Sequence, residues 1–250
     1  QQRVGCFISA HDAVTGEELW KFYNTAGPET RDGDTWGNRP VEQRVASSWG
    51  LPGSYDPERR LTYWGIANPT PYTRLTRHGS PDGTAITAPA DLYSNSTVAL
   101  DIDTGELSWY YQHLPGDDWD LDHPHERTVL STRLEPDPDL VKWINPSIEP
   151  GEQREVVASV GEGGGIWLLD RTTGEFLWSM PFPYDIPEFH IADINVETGR
   201  TTLNYDRVFK QDGDRTLVCY HNTRSFWSTA YDPTRNALYI PFHDACLDMT

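Results

Sequence analysis

The residues best suited to chemistry lie in one acidic stretch, Pro-Gly-Asp-Asp-Trp-Asp-Leu-Asp-His at positions 115–123, where four carboxylates fall within six residues. Asp120 and Asp122 are two residues apart, which in an extended segment places both side chains on the same side. Two like charges this close repel, and each raises the pKa of the other unless a cation or a hydrogen-bond donor compensates. A hard cation held by oxygen ligands is one form of compensation, and hydration of a surface loop is the other.

An internal repeat organises the elements that must position this stretch. The pattern Asp-x-x-Thr-Gly-Glu-x-x-Trp occurs three times, with its Asp and Trp at 12 and 20, 101 and 109, and 170 and 178. A degenerate fourth copy at 193–199 lacks the tryptophan. Each copy predicts a β-hairpin in which a strand ends at Asp, Thr-Gly forms the turn, and the returning strand carries Trp into the core. The acidic stretch follows one such returning strand, predicted at Leu107–Gln112.

A second repeat supports an architecture of many short hairpins. Tyr-Asp-Pro occurs at 55–57 and at 231–233, and in each case an apolar strand follows after a short turn. Two hairpin types that alternate at unequal spacing favour four-stranded propeller blades over a sandwich. Since one hairpin cannot bury its own faces, several units must pack side by side. The chain, 1–250, therefore predicts one all-β domain of about four or five blades at roughly 40–60 residues each, with further blades expected upstream and downstream.

Composition and charge exclude several classes of partner. The net charge of −18 and the pI near 4.7 argue against nucleic acid and anionic membrane surfaces, because both repel an acidic protein. No apolar run approaches the roughly 18 residues that a membrane span needs. The chain opens at Gln1 without the charged and apolar regions of a signal peptide, so we expect an internal or processed start.

The three cysteines, Cys6, Cys219 and Cys246, do not form a metal or haem motif. No CxxC or CxxCH sequence is present, so neither a zinc knuckle nor a covalently attached c-type haem is predicted. A disulfide between Cys219 and Cys246 would suit an oxidising compartment, and free thiols are the alternative.

Several segments together resemble a known family. They are the tryptophan repeats, Ser-Ser-Trp-Gly at 47–50 leading to Tyr-Asp-Pro, Gly-Ile-Ala-Asn-Pro-Thr-Pro at 65–71, and the stretch 111–122. In this order they resemble the dehydrogenases that depend on pyrroloquinoline quinone (PQQ), the methanol/ethanol dehydrogenase family of eight-bladed quinoprotein propellers. The resemblance implies that this chain supplies about half of such a propeller and binds PQQ and one metal ion. It also favours a disulfide between Cys219 and Cys246, which leaves Cys6 unpaired.

The resemblance assigns roles to individual positions. Trp49 resembles the tryptophan on which the quinone ring lies, since two flat rings stack well, and Ser47 is expected to offer its hydroxyl to a cofactor carboxylate. Asn68 resembles the asparagine whose side-chain oxygen binds the metal. Asp120 matches the catalytic aspartate, which is both a metal ligand and the general base for the substrate hydroxyl. The structural alternatives are a blade-core tryptophan for Trp49 and an ordinary Asn-Pro turn for Asn68.

Asp122 bears on the identity of the metal. Calcium enzymes of the family commonly carry a small or neutral residue two places after the base, whereas the lanthanide-dependent members resemble this chain in having a second Asp. A trivalent ion needs more anionic oxygen ligands than calcium, so a lanthanide is favoured and calcium is the alternative. The other interpretation is that Asp122 faces solvent or pairs with His123 or Arg127. Asp117 and Asp118 are expected on the loop surface.

The chain also departs from the family. The metal-binding glutamate of the family would lie at or before Gln1. Glu162 stands where the family usually has an Arg or Lys that donates to the quinone, and an ionised acid cannot donate. Arg224, Ser225 and Phe226 lie where the family has cofactor-contacting residues. Arg224 is therefore either the compensating cation or a surface arginine.

The sequence thus predicts a periplasmic quinoprotein that oxidises an alcohol and passes electrons to a soluble cytochrome c or a quinone acceptor. The alternatives are a cofactor-free propeller that acts as a scaffold or binding protein, and an enzyme fragment inactive without the missing blades. A scaffold would need the repeat glycines and tryptophans but not Trp49, Asn68, Asp120 and Asp122. The insertion-like segment 70–89, together with His113, His123, His125 and Glu126 near the site, suggests a substrate larger than methanol.

Overall fold

The computed structural model describes residues 6–250, whose regular elements are almost all short antiparallel strands joined by turns and loops. The strands are β1 (Phe7–His11), β2 (Glu18–Tyr23), β3 (Val45–Ala46), β4 (Ser54–Asp56), β5 (Leu61–Gly65), β6 (Pro69–Thr70), β7 (Ser96–Asp101), β8 (Leu107–Gln112), β9 (Thr128–Leu134), β10 (Trp143–Ile144), β11 (Glu152–Gly161), β12 (Gly164–Asp170), β13 (Phe176–Met180), β14 (Ile191–Ile194), β15 (Thr201–Leu203), β16 (Thr216–Cys219), β17 (Ala230–Asp232), β18 (Ala237–Tyr239) and β19 (Cys246–Met249). One α-helix, α1 (Arg74–His78), and two 3-10 turns, Val41–Gln43 and Tyr205–Arg207, complete the described elements.

The strands assemble into antiparallel sheets of unequal size. The order β4-β5-β7-β8 forms a four-stranded meander, as predicted for a propeller blade, and β10-β13-β12-β11-β9 forms a five-stranded sheet. The remaining strands pair two by two as β1-β2, β3-β6, β14-β15, β16-β19 and β17-β18. The all-β prediction is confirmed, and the predicted strand before the acidic stretch is β8 with the same bounds. The number of blades stays a prediction.

The repeated sequence pattern folds into one recurring turn. In the second copy, the Oδ1 atom of Asp101 accepts from the backbone N–H groups of Asp103 and Thr104, each at 2.9 Å. The same oxygen accepts from the hydroxyl of Thr104 at 3.1 Å. Gly105 follows with a φ of 71°, a conformation that glycine adopts without steric cost. The turns at Asp12, Asp170 and Asn195 have the same bonds, so the fourth copy uses an amide in place of the carboxylate.

The tryptophan of one repeat packs on the glycine of the next. A Cβ atom added at Gly105 would lie 2.5 Å from the ring of Trp20. The indole N–H of Trp20 donates to the carbonyl of Ile102 at 2.8 Å. Trp109 lies in the same way against Gly174, where an added Cβ would also be 2.5 Å from the ring. Consecutive hairpins are therefore connected by an indole that covers the next turn.

The pairing of the three cysteines is the one that the resemblance implies. Cys219 and Cys246 are opposite each other in the β16–β19 pair and form a disulfide. Cys6 is free. Over residues 6–250, the structure holds no helix with the length and apolar character of a membrane span.

Candidate functional site

The acidic stretch is a buried loop, so the prediction that Asp117 and Asp118 lie on its surface is wrong. Neither residue has any exposed area. Backbone N–H groups take the place of water around their carboxylates. One oxygen of Asp117 accepts from the N–H of Trp119 at 2.9 Å, and the other accepts from the N–H of Leu121 at 2.8 Å. Burial nevertheless raises the pKa of Asp117 to about 6. These two carboxylates shape the loop from inside.

The other two aspartates converge on one asparagine. Asn68 lies just before β6, and its backbone N–H donates to Oδ1 of Asp122 at 2.7 Å. Its side-chain Nδ2 atom donates to Oδ1 of Asp120 at 2.5 Å. Asp120 is exposed and has a φ of 64°, whereas Asp122 is buried. The structure thus brings the three predicted metal ligands together.

Asp122 lies beside a further acid, Glu162. The N–H of Asp122 donates to Oε2 of Glu162 at 3.2 Å, and the N–H of Glu162 donates to the carbonyl of Asp122 at 2.8 Å. Burial, with the neighbouring carboxylates, raises the pKa of Asp122 to about 8 and that of Glu162 to about 7. Because Asp122 is buried, the interpretation that it faces solvent is wrong.

The donor set has the chemistry of a hard-cation site. Asn68 uses its amide nitrogen for Asp120, so the amide oxygen is the atom that would bind an ion. One amide and two carboxylates are oxygen donors of the kind that calcium and lanthanides prefer. Within residues 6–250, no group of three or more His, Cys, Asp or Glu side chains is arranged to hold a metal. The metal-binding glutamate predicted at or before Gln1 lies outside the described residues.

A small cavity joins this acidic centre to the predicted cofactor side. Its lining comprises Trp49, Leu51, Asp122, Pro124, His125, Glu162, Ser225 and Phe226. The indole of Trp49 is 50% exposed, and its centroid is 5.7 Å from that of Phe226 at an interplanar angle of 47°. An exposed aromatic face at the mouth of a cavity suits a planar ligand. Among the described residues, the lining of this cavity includes acids and no Arg or Lys.

Ser47 supports Trp49 through the backbone. The hydroxyl of Ser47 accepts from the N–H of Trp49 at 2.8 Å, and the carbonyl of Ser47 accepts from the N–H of Ala67 at 2.7 Å. Trp49 itself has a φ of 55°, which is uncommon for a residue other than glycine. The segment that presents the indole is therefore bonded to the segment that carries Asn68.

Arg224 is buried, so its interpretation as a surface arginine is wrong. Its side chain is 1% exposed, forms an ion pair with Glu126, and donates to the carbonyl of Trp227. The same Glu126 oxygen accepts from the N–H of Thr229 at 2.6 Å. Burial alone would raise the pKa of Glu126, but the bonds from Arg224 and Thr229 outweigh it and lower the pKa to about 2. The guanidinium thus fixes the segment that carries Ser225 and Phe226.

Two of the histidines expected near the substrate pocket, His113 and His123, lie buried behind the acidic loop. The rings of His113 and His123 stack 4.9 Å apart at an interplanar angle of 3°, and both contact the edge of Trp167. Burial lowers the pKa of each well below its ordinary range. Gly161 has no side chain where the ring of His123 lies. This packing was not predicted from the sequence.

Comparison with known proteins is consistent with this geometry. The family model for the β-propeller domain of PQQ-dependent glucose, ethanol and alcohol dehydrogenases matches residues 2–183. The chain is 28% identical over 254 residues to the quinohemoprotein alcohol dehydrogenase ADH-IIG of Pseudomonas putida, covering 95% of the chain and 31% of the relative. It is 25% identical to the putative dehydrogenase XoxF of Paracoccus denitrificans, covering 96% of the chain and 40% of the relative.

Solved structures show the same fold. The structure of ADH-IIG from Pseudomonas putida matches with a TM-score of 0.78 at 27% identity, over 96% of this chain and 33% of that one. A europium-containing methanol dehydrogenase matches with a TM-score of 0.75 at 22% identity, over 97% of this chain and 41% of that one; this second likeness concerns the fold alone. The chain spans about a third of the length of ADH-IIG. The propeller prediction is confirmed, and the chain belongs to the PQQ-dependent alcohol dehydrogenase family of β-propeller domains.

Proposed function

We propose that the protein to which this chain belongs oxidises an alcohol to an aldehyde or ketone, with PQQ and one metal ion as cofactors. The observation that carries the proposal is the single asparagine, Asn68, that bonds both Asp120 and Asp122. Asp122 also lines the cavity that Trp49 borders. A scaffold propeller needs neither this convergence of oxygen atoms nor a half-exposed indole beside it.

Each residue would have a defined task. Asn68, Asp120 and Asp122 would hold the metal through oxygen atoms, and Trp49 and Phe226 would hold the quinone ring. When bound, PQQ with its metal supplies the acceptor for the hydride that leaves the alcohol carbon. Asp120 would take the hydroxyl proton at a carboxylate oxygen, a role that its exposure permits. Burial of Asp122 keeps water away from its side of the site.

The proposal extends to the metal, the compartment and the acceptor. A trivalent ion is favoured over calcium because Asp122 adds an anionic ligand that only a strong cation compensates when buried. The Cys219–Cys246 disulfide suits an oxidising compartment such as the periplasm. A soluble cytochrome c or a quinone would then take the electrons from the reduced cofactor.

One observation favours a second candidate function, a cofactor-free propeller that serves as a binding protein. Glu162 lines the cavity next to Asp122, at the position where the family usually has a basic residue. An ionised carboxylate there would repel the quinone oxygens rather than donate to them. A quinoprotein would therefore have to bind its cofactor with the carboxyl group of Glu162 in place of the usual basic side chain.

Reconstitution separates these candidates. We would add PQQ to the complete protein that contains this chain, with either calcium or lanthanum, and measure both quinone uptake and dye reduction across a series of alcohols. The Asp122→Ala variant should lose lanthanum-supported activity more than calcium-supported activity, whereas Asp139→Ala, an exposed aspartate, should leave both unchanged. Equal activity with the two ions would remove the lanthanide assignment. Absence of quinone uptake with either ion would favour the cofactor-free propeller.

A further inference from the structure

We propose that Arg77 of helix α1, with Arg74 beside it, is a positioning residue that fixes the backbone of the acidic loop so that Asp120 and Asp122 meet Asn68. The inference rests on the proposed function, because it assigns these arginines to the same metal centre. The segment 70–89, expected to shape the substrate pocket, carries both arginines.

Arg77 is buried and makes its bonds chiefly to backbone carbonyls. Its Nη2 atom donates to the carbonyl of Asp117 at 2.9 Å, which is a direct contact with the acidic loop. Its Nη1 atom donates to the carbonyls of Pro71 and Tyr72 at 2.6 and 2.7 Å. Its Nε atom donates to the buried carboxylate of Asp91 at 2.8 Å. The guanidinium therefore ties the loop to the segment 71–77 in a fixed geometry.

Arg74 makes hydrogen bonds to the two loop residues that flank Asp117, Gly116 and Asp118. Its Nη1 atom donates to the carbonyl of Gly116 at 2.9 Å. Its backbone N–H donates to Oδ1 of Asp118 at 2.5 Å. The other oxygen of Asp118 accepts from the N–H of Phe209 at 2.7 Å. Three consecutive loop residues are thus bonded to the helix, and the loop is held on its far side as well.

The position of Asp120 depends on this attachment. Only Trp119 separates Asp118 from Asp120, and Trp119 is buried with its indole N–H bonded to the carbonyl of Arg207 at 2.9 Å. Asp120 then has a φ of 64°, a conformation that persists only when surrounding structure determines it. A shift at Asp117 is therefore passed on to the carboxylate that meets Asn68.

Arginine suits this task better than lysine. The planar guanidinium donates in several fixed directions at once, whereas an ammonium group is a compact charge on a flexible stem. Arg77 uses three of its nitrogen atoms on three different parts of the chain. Arg77→Lys keeps the charge that balances Asp91 but cannot reproduce all three bonds.

Metal affinity measured without turnover tests the inference. Terbium is titrated into the complete protein that contains this chain, and its luminescence sensitised by tryptophan is recorded. Arg77→Lys should lower the thermal midpoint, because buried carbonyls lose a donor. Measured well below that midpoint, the folded variant should bind terbium about tenfold or more weakly, as substitutions behind metal ligands commonly do. Arg133→Lys is the matched control, because Arg133 is exposed and its side chain pairs with Glu135 near the end of its own strand. An affinity within twofold of the unaltered chain would overturn the inference.

Hydrogen exchange provides a second measurement that needs no metal. In Arg77→Lys, amides 117–122 should exchange at least about tenfold faster because their attachment is lost, while those of β5 and β7 should not change. Unchanged exchange at 117–122 would overturn the positioning role. If Arg77→Lys does not fold, Arg74→Lys is measured in the same two ways. Should the complete unaltered protein bind no terbium, the proposed function fails, and hydrogen exchange still decides whether the arginines position the loop.

Discussion

The ion pair between Glu126 and Arg224 holds the segment that carries Ser225 and Phe226, on the predicted cofactor side of the site, and Glu126→Gln tests this role. The carboxylate accepts from the guanidinium and from the N–H of Thr229 at 2.6 Å. The guanidinium is 1% exposed and the carboxylate 30%. A neutral amide at position 126 would leave a buried positive charge without its partner, so the variant should be less stable.

The size of the loss follows from the pKa. Burial alone would raise the pKa of Glu126, yet hydrogen bonds lower it from 4.5 to about 2, which corresponds to at most about 3 kcal/mol. Partial exposure of the carboxylate screens the pair, so we expect a loss of about 2 kcal/mol in the free energy of unfolding. The exposed pair of Glu135 with Arg133 is the matched control, and Glu135→Gln should cost less than about 0.5 kcal/mol.

The pH dependence has a defined sign. Because folding lowers the pKa of Glu126, its contribution is fully present above the unfolded value of 4.5 and is lost as the pH falls toward about 2. Urea denaturation at several pH values should therefore show the unaltered chain and Glu126→Gln differing most near pH 7 and converging in acid. A difference that does not shrink between pH 4.5 and 2, or a loss no larger than that of Glu135→Gln, would contradict the reasoning.

Two further predictions concern the fold around the site. Gly105→Ala should destabilise the chain by about 1–3 kcal/mol more than Gly16→Ala. Both glycines have positive φ, but an added Cβ at Gly105 meets the ring of Trp20, whereas at Gly16 it meets no atom of residues 6–250 within 4 Å. Equal losses in urea denaturation would argue against the packing. The disulfide spans 27 residues of sequence, so Cys219→Ser should lower the free energy of unfolding by about 3–4 kcal/mol and speed hydrogen exchange in the segment that the disulfide closes. The control Cys6→Ser should change neither quantity.

The sequence was most informative where structure depends on neighbours in the chain. The Thr-Gly turns form because an Asp or Asn oxygen bonds N–H groups two and three residues later, as at Asp101. Strand Leu107–Gln112 follows from the same pattern and has the predicted bounds. Such contacts are encoded within a few residues, so pattern and turn chemistry suffice to predict them.

The sequence was least informative where partners come from remote segments. Asp118 was expected at the surface, but the N–H groups of Arg74 and Phe209 take the place of water around it. Arg224 has its counter-charge in Glu126, which lies 98 residues earlier. A charged residue in a sequence is by default a surface residue, and only the fold shows which charges are paired inside.

The four aspartates of the acidic loop divide by the source of their partners, and this division separates structural acids from candidate ligands. Asp117 and Asp118 each bond backbone N–H groups with both oxygens, so the backbone offsets part of the cost of burying them. Asp120 and Asp122 share one residue, Asn68, as donor. Asp122 is buried beside another acid, an arrangement that a bound cation would relieve. The electrostatic demand for a metal therefore falls on the two residues whose spacing first suggested it.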